Sequence, residues 1–287
     1  MRPEIAAFFD EDTFTVSYVA SDPETHRCAI IDSVLDFDHA SGRTKHEAAD
    51  RVIAHIEAHG LTVDWVLETH VHADHVSAGD HLKQKLGGVS ATGEHVKTVQ
   101  GTFARIFNTG PGFTPDGRQF DCLFRDGETF KIGNLEARVI HTPGHTPACI
   151  TYVIRDAAFV GDTLFMPDYG TARCDFPGGD AAELYRSIHK LFTLPPETRV
   201  FLCHDYKAPG RDAYRWETTV AEQKAKNVHI HEGISETEFV KMRTTRDKTL
   251  SMPKLILPSV QINMRAGILP EPESNGVRYL KLPVDGF

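Results

Sequence analysis

The sequence predicts an α/β fold in which two sheets pack face to face and helices cover their outer sides, an αββα sandwich. Short apolar runs typical of strands occur in both halves of the chain, and each set is accompanied by amphipathic helical segments. With 40% hydrophobic and 25% charged residues, the chain can bury a sizeable core. We therefore expect a single domain over residues 1–287.

The first half begins with two strands whose turn-rich connection predicts a hairpin. Ala49, Val52, Ile53 and Ile56 share one helical face, and Gly60 ends that helix. The predicted elements are strands at 14–20, 28–37 and 63–67 and helices at 46–59 and 81–86.

The second half repeats this alternation after a breaker-rich loop at 108–117. The predicted elements are strands at 135–140, 149–154, 157–160 and 200–203, with a helix at 181–191. Beyond residue 232, a short helix at 236–242 precedes a proline-broken segment. We expect this C-terminal extension, 232–287, to wrap the domain.

Charge and hydropathy exclude several classes of protein. A net charge of −9 argues against a protein that grips nucleic-acid backbones. No apolar run approaches the length of about 18 residues that a membrane span needs, and acidic residues appear too early for a targeting peptide, so we expect a cytoplasmic protein. The one basic cluster is predicted to be a solvated face and comprises Lys241, Arg243, Arg246, Lys248 and Lys254.

The run Thr69 to His75 contains three histidines and one aspartate directly after the predicted strand 63–67. Strand alternation places His70 and His72 on one side, where they can share an ion. Asp74 and His75 lie where the chain turns, within reach of a second position. This pattern predicts a metal site.

Three further ligand candidates each follow an apolar run where it meets Gly, Pro or Asp. They are His145 in 142–146, Asp162 after 158–161, and His204 after 199–203. Together they repeat one arrangement, in which a buried strand delivers a ligand into a loop.

These motifs, in this order, resemble the metallo-β-lactamase superfamily over roughly residues 10 to 210. Further stretches resemble the persulfide dioxygenase (sulfur dioxygenase) branch, which is related to glyoxalase II; they are 170–176, 184–189, 205–206 and 263–267. The resemblance implies the αββα fold and a non-haem iron enzyme. The chain departs from the family pattern at two places: a breaker-rich insertion near 103–125 is longer than in short forms of the dioxygenase, and Thr171 stands where some members have a cysteine.

By this resemblance, His70, His145 and Asp162 are the catalytic ligands of one Fe(II) per chain. His72, Asp74, His75 and His204 either orient those ligands or complete a second metal site. The residues expected to contact the thiol substrate are Thr146, Arg173, Tyr206 and Arg265, and Arg173 could pair bidentately with a glycyl carboxylate.

The expected reaction is the oxidation of glutathione persulfide, or of a related small thiol persulfide, by O2 and water to sulfite and the free thiol. The alternative is a dinuclear zinc hydrolase of glutathione thioesters or lactones. A non-catalytic metal-binding sensor is a third reading. We expect no nucleic-acid or membrane partner, and the sequence leaves open whether the chain forms a homo-oligomer.

Overall fold

Over residues 2–286, the strands form two six-stranded sheets and a small three-stranded sheet. A computed structural model describes residues 2–286. The strands are β1 (Glu4–Asp10), β2 (Thr15–Ser21), β3 (Arg27–Ile31), β4 (Val34–Asp38), β5 (Arg43–Lys45), β6 (Thr62–Leu67), β7 (Val76–Ser77), β8 (Val89–Gly93), β9 (Cys122–Phe124), β10 (Thr129–Ile132), β11 (Leu135–His141), β12 (Ile150–Ile154), β13 (Ala157–Phe159), β14 (Arg199–Phe201) and β15 (Glu217–Thr219). The helices are α1 (Glu47–Ala58), α2 (Gly79–Leu86), α3 (Val96–Ile106), α4 (Ala181–Leu191), α5 (Val220–Lys226), α6 (Glu236–Asp247) and α7 (Ile256–Asn263), with a 3-10 turn at Gly161–Thr163.

The two large sheets bury their facing sides against each other. The first sheet has the strand order β1-β2-β3-β6-β8-β9, and the second runs β10-β11-β12-β13-β14-β15. Alternating residues of β11 are buried and exposed, as expected for a strand with one face in a core. The core between the sheets includes Tyr18 and Leu67 from the first and Val139, Tyr152 and Phe159 from the second.

Helices cover the outer side of each sheet. Buried residues of α1 and α2, including Val52, Ile56 and Leu82, pack on the first sheet. Leu184 and Ile188 of α4 pack on the second. The predicted αββα sandwich is therefore confirmed.

Several elements differ from their sequence-based boundaries. The run 28–37 is two strands, because the chain turns at Asp32, whose φ is +51°. Its second part, β4, leaves the hairpin and pairs with β5 and β7. Strand β1 and helix α3 were not predicted, and the helix predicted at 236–242 continues to Asp247.

The predicted insertion and extension both contain regular structure. Segment 103–125 begins inside α3, and its apolar residues Phe103, Phe107, Phe113 and Phe120 are buried in one cluster. The extension carries α6 and α7, and α7 contributes Val260 to that cluster. A capping box of Ser235 and Glu238 starts α6.

None of the helices among residues 2–286 is long and apolar enough to cross a membrane.

A buried ion pair fastens α6 to the loop before α4. Arg243 donates from Nε to Asp247 Oδ1 (2.8 Å) and from Nη1 to the Thr171 carbonyl (2.9 Å). Asp247 Oδ2 accepts from the Cys174 amide at 2.9 Å. The side chains of Arg243 and Asp247 are only 1% and 5% exposed. The pair therefore holds both ends of the segment 171–174.

We predict that Arg243→Leu lowers the free energy of unfolding by about 3–5 kcal/mol, because Asp247 is left as an uncompensated buried charge. The matched control is Arg246→Leu, one helical turn away on the exposed side of α6. That change should stay within about 0.5 kcal/mol. Urea unfolding of both variants provides the measurement, and equal losses would contradict the structural role assigned to Arg243.

Candidate metal centre

The ligand candidates meet at one edge of the sandwich because parallel strands end there together. Strands β3 and β6 are parallel, as are β13 and β14. The histidine motif follows β6, Asp162 follows β13, and His204 follows β14. His145 lies in the turn between β11 and β12. All the predicted metal ligands are thus brought to one place.

One group of ligand atoms comprises His70, His145 and Asp162, which lie within 4.8 Å of one another. Asp162 Oδ2 is 3.8 Å from His70 Nε2 and 3.6 Å from His145 Nε2. Atoms that each coordinate an ion at about 2.1 Å lie roughly 3.0–3.5 Å apart, so these spacings are close to those of a metal-bound set.

A second group comprises His72, Asp74, His75 and His204, again within 4.8 Å. Asp74 Oδ2 is 2.9 Å from His204 Nε2, and Asp162 Oδ1 is 3.4 Å from the same nitrogen. Asp162 therefore faces both groups. His70 and His72 have adjacent rings, 4.0 Å between centroids, yet their ligand atoms fall into different groups, unlike the shared ion expected from strand alternation.

Three imidazole rings are oriented by a hydrogen bond at Nδ1, the nitrogen that points away from the other ligand atoms. His145 Nδ1 donates to the Arg173 carbonyl at 2.8 Å, and His204 Nδ1 donates to the Phe14 carbonyl at 3.2 Å. The Thr69 hydroxyl donates to Asp32, so it accepts from His70 Nδ1 at 3.0 Å. These contacts leave each Nε2 as the donor atom for a metal.

Several ligand atoms of the cluster are buried and have no hydrogen-bond partner among the described residues. They are His70 Nε2, His72 Nδ1, His75 Nε2 and Asp162 Oδ1. His204 Nε2 differs from these atoms, because it pairs with Asp74 Oδ2 at 2.9 Å. Buried polar atoms are rarely left unpaired, since each costs about 1–3 kcal/mol. Imidazole nitrogens with a carboxylate oxygen are donors suited to zinc or iron. The cluster is therefore suited to binding a metal ion.

The local environment shifts the pKa values of the histidines in opposite directions. Burial lowers the pKa of His70 well below its usual value, and the neighbouring imidazoles of His72 and His145 lower it further. For His204, burial also acts to lower the pKa, but the charges of Asp74, Tyr206 and Asp162 outweigh it and raise the value. His70 is thus neutral and ready to coordinate, whereas metal binding at His204 releases a proton.

Two carboxylates that orient His72 were not anticipated from the sequence. Asp32 Oδ1 lies 3.0 Å and Glu68 Oε2 lies 3.4 Å from His72 Nε2. Asp32 also accepts from the Thr69 amide at 2.7 Å. The available signal was its position at the end of β3, beside the end of β6, but recognising it required the pairing of those strands.

A cavity of about 490 Å³ opens onto the centre. His145, Asp162 and Asp74 line it, together with the aromatic rings of Phe14, Phe165, Tyr169, Phe176 and Tyr206. Segments from both sheets and from α6 and the loop after it complete the wall. The ligands thus face a site large enough for a small organic substrate.

The predicted substrate contacts fall into two sets. Tyr206 and Arg173 line the cavity, and the Tyr206 hydroxyl donates to Asp74 Oδ2 at 3.4 Å. Arg173 forms a bidentate pair with Asp175, donating from Nε to Oδ1 (2.6 Å) and from Nη2 to Oδ2 (2.7 Å). These two donors of Arg173 are therefore already occupied and do not face a substrate carboxylate. Thr146 and Arg265 are not among the lining residues: Thr146 is within 3.1 Å of Cys149 Sγ, and Arg265 stacks on Phe113.

Part of the basic cluster lies at the cavity instead of on a remote surface. Arg243, Arg246 and Lys254 all line it. Arg243 is neutralised by Asp247, whereas Arg246 is exposed and has no carboxylate within 4.0 Å among residues 2–286. The cluster was visible in the sequence, but its position depends on how α6 packs. The interpretation as a solvated face was therefore wrong for Arg243, which is buried, whereas Arg246 and Lys254 are exposed and line the cavity.

We predict that Asp162→Ala removes bound metal, because its carboxylate faces both groups of ligands. Metal content per chain, measured after reconstitution with Fe(II) or Zn(II), should fall at least tenfold. Asp168→Ala is the control, since that carboxylate lies in a nearby loop and pairs with Arg211 Nε at 2.7 Å. Full metal content in the Asp162 variant would contradict this assignment.

Comparisons with known proteins extend over nearly the whole chain. A probable metallo-hydrolase from Burkholderia pseudomallei is 58% identical, with 99% of each chain covered. Glyoxylase B2 from Dictyostelium discoideum is 48% identical over 99% of this chain and 98% of its own. The mitochondrial persulfide dioxygenase ETHE1 of Bos taurus is 32% identical over 92% and 89%. The chain spans 65% of the length of three further bacterial relatives.

The same likeness appears in structure. The crystal structure of ETHE1 from Myxococcus xanthus superposes with a TM-score of 0.73 at 31% identity, covering 92% of this chain and all of that one. The family model of the metallo-β-lactamase superfamily matches residues 11–204, which include every ligand described above. With its fold and its histidine and aspartate cluster, the chain belongs to the metallo-β-lactamase superfamily of metal-dependent enzymes.

Proposed function

We propose that the protein is an Fe(II)-dependent persulfide dioxygenase acting on glutathione persulfide or a related small thiol persulfide. The observation that carries the proposal is the group His70, His145 and Asp162, two histidines and one carboxylate at the cavity. This ligand set, with open positions, is typical of non-haem Fe(II) oxygenases.

The two ligand groups differ in how many positions they leave open. His70, His145 and Asp162 supply three ligands, and two of them line the cavity. The other group supplies four, of which only Asp74 is among the lining residues. A catalytic metal keeps positions free for substrate, whereas four protein ligands close a tetrahedral shell. We therefore assign the iron to the three-ligand position, with one iron per chain.

The reaction consumes one persulfide, one O2 and one water and gives the free thiol, sulfite and two protons. The outer sulfur is oxidised, O2 is reduced, and the S–S bond breaks with the proton going to the thiol. Fe(II), when bound, supplies open coordination positions and redox capacity for a reaction between a sulfur anion and O2.

The chain's own residues favour an anionic thiol carrier. Arg246 and Lys254 place positive charge at the cavity, while Arg173 and Arg243 are each paired with an aspartate. Glutathione carries two carboxylates, so these unneutralised cations attract it. The aromatic walls limit water beside the reactive sulfur. The persulfide dioxygenase relatives, similar over most of the chain, support the same assignment.

A dinuclear zinc hydrolase of glutathione thioesters is the second candidate. It is favoured by the second group of ligands, because His72 Nδ1 and His75 Nε2 are buried without a hydrogen-bond partner, as is His70 Nε2. Relatives named metallo-hydrolase and glyoxylase share more identity with this chain than the dioxygenases do. Two zinc ions would generate a hydroxide nucleophile without consuming O2.

Oxygen consumption separates the two candidates. We expect anaerobically purified, Fe(II)-loaded protein to take up O2 on addition of glutathione persulfide and to release sulfite in equal amount. The Zn(II)-loaded protein is the control and should take up none. Hydrolysis of a glutathione thioester by the zinc form, with no O2 uptake by the iron form, would replace this proposal by the second candidate.

The basic residues at the cavity should affect substrate binding more than turnover. We predict that Arg246→Ala raises KM for glutathione persulfide about three- to tenfold with kcat nearly unchanged, since a partly solvated ion pair contributes about 0.7–1.4 kcal/mol. Lys248→Ala is the control, because Lys248 is exposed at the same helix end but does not line the cavity. Equal KM values for both variants would exclude a direct role of Arg246.

A further inference from the structure

The C-terminal helix α7 is joined to the ligand loop by one buried side chain. Asn263, 5% exposed, donates from Nδ2 to the carbonyls of His72 (2.9 Å) and His75 (2.8 Å). Its Oδ1 accepts from the Ser77 amide at 2.8 Å. The carbonyls that bracket Ala73 and Asp74 are therefore fixed by the same amide group.

The same contact continues to a metal-facing ring. The Ser77 hydroxyl, next to the amide that Asn263 holds, donates to Glu68 Oε1. The other Glu68 oxygen lies 3.4 Å from His72 Nε2. Asn263 thus contacts the backbone of the histidine motif directly. Through the amide of Ser77, it also helps to place the Glu68 carboxylate beside the His72 ring.

Apolar packing reinforces this attachment. Val71 and Ala73, the residues between the histidines, are buried in one cluster with Ile256, Val260 and Met264 of the α7 region. The ligand loop therefore rests on α7 with its apolar side chains and is fixed in register by Asn263. Neither contact depends on an ion.

We propose that Asn263 is a positioning residue for the metal centre, through which α7 sets the geometry of the loop that carries His70, His72, Asp74 and His75. The inference rests on the metal centre used by the proposed function but not on which reaction occurs there. Its test is metal binding, so its failure and the failure of the dioxygenase proposal are distinguishable.

A matched control lies two residues earlier on the same helix. Gln261 is 6% exposed, and its side-chain amide also makes three hydrogen bonds. Its Nε2 donates to the carbonyls of Leu257 (2.7 Å) and Lys281 (3.0 Å), and its Oε1 accepts from the Lys281 amide (2.8 Å). These bonds do not involve the ligand loop. Asn263→Asp and Gln261→Glu therefore make the same chemical change with different neighbours.

The experiment measures the dissociation constant of Co(II) by chelator competition, the visible Co(II) spectrum, and thermal unfolding without metal. Asn263→Asp should weaken Co(II) binding about 10- to 100-fold and alter the spectrum, because a carboxylate oxygen then faces two carbonyls. Gln261→Glu should lower Tm while the constant stays within about twofold of the unchanged protein.

A folded Asn263→Asp variant with the unchanged constant and spectrum would overturn the proposal, as would equal weakening by Gln261→Glu. If Asn263→Asp does not fold, hydrogen exchange of the unchanged protein provides the test. Metal loading should then slow amide exchange in 256–264 as well as in 70–77, because coupling between two sites is reciprocal. Slowing confined to 70–77 would overturn the proposal.

Discussion

The centre depends on holding many imidazoles and carboxylates out of water at one edge of a sandwich. Each buried ring needs a partner on one nitrogen to fix its orientation and an unpaired nitrogen on the other side to bind an ion. Backbone carbonyls of Phe14 and Arg173 and the hydroxyl of Thr69 satisfy the first need. These partners come from different strands and loops, so the metal site is only as well defined as the packing of the two sheets that bring them together.

The ligands could be predicted from the sequence because they are local: the histidine motif, His145, Asp162 and His204 each directly follow a recognisable strand. The fold class followed from the same alternation of strands and helices. Residues that act across the chain could not be found in this way. Asp32 faces His72 only because β3 and β6 are neighbours, and Arg246 reaches the cavity only because α6 packs beside the loop 171–174.

The arginines at the cavity show why charge in a sequence is a poor guide to charge in a site. Arg173 and Arg243 are held by Asp175 and Asp247 and serve the structure of the wall. Arg246 lines the same cavity but is exposed, so its charge stays available. A chain with a net charge of −9 thereby still places two exposed cations, Arg246 and Lys254, at the cavity.

The hydrogen bonds of Asn263 to the carbonyls of His72 and His75 span 191 and 188 residues. During synthesis, the histidine motif leaves the ribosome long before the side chain that holds it, and long before His204. Until residue 263 has been made, the loop 70–77 lacks the hydrogen bonds from Asn263 to its backbone carbonyls. Chains that stop before this helix therefore lack the two hydrogen bonds that hold the carbonyls of His72 and His75.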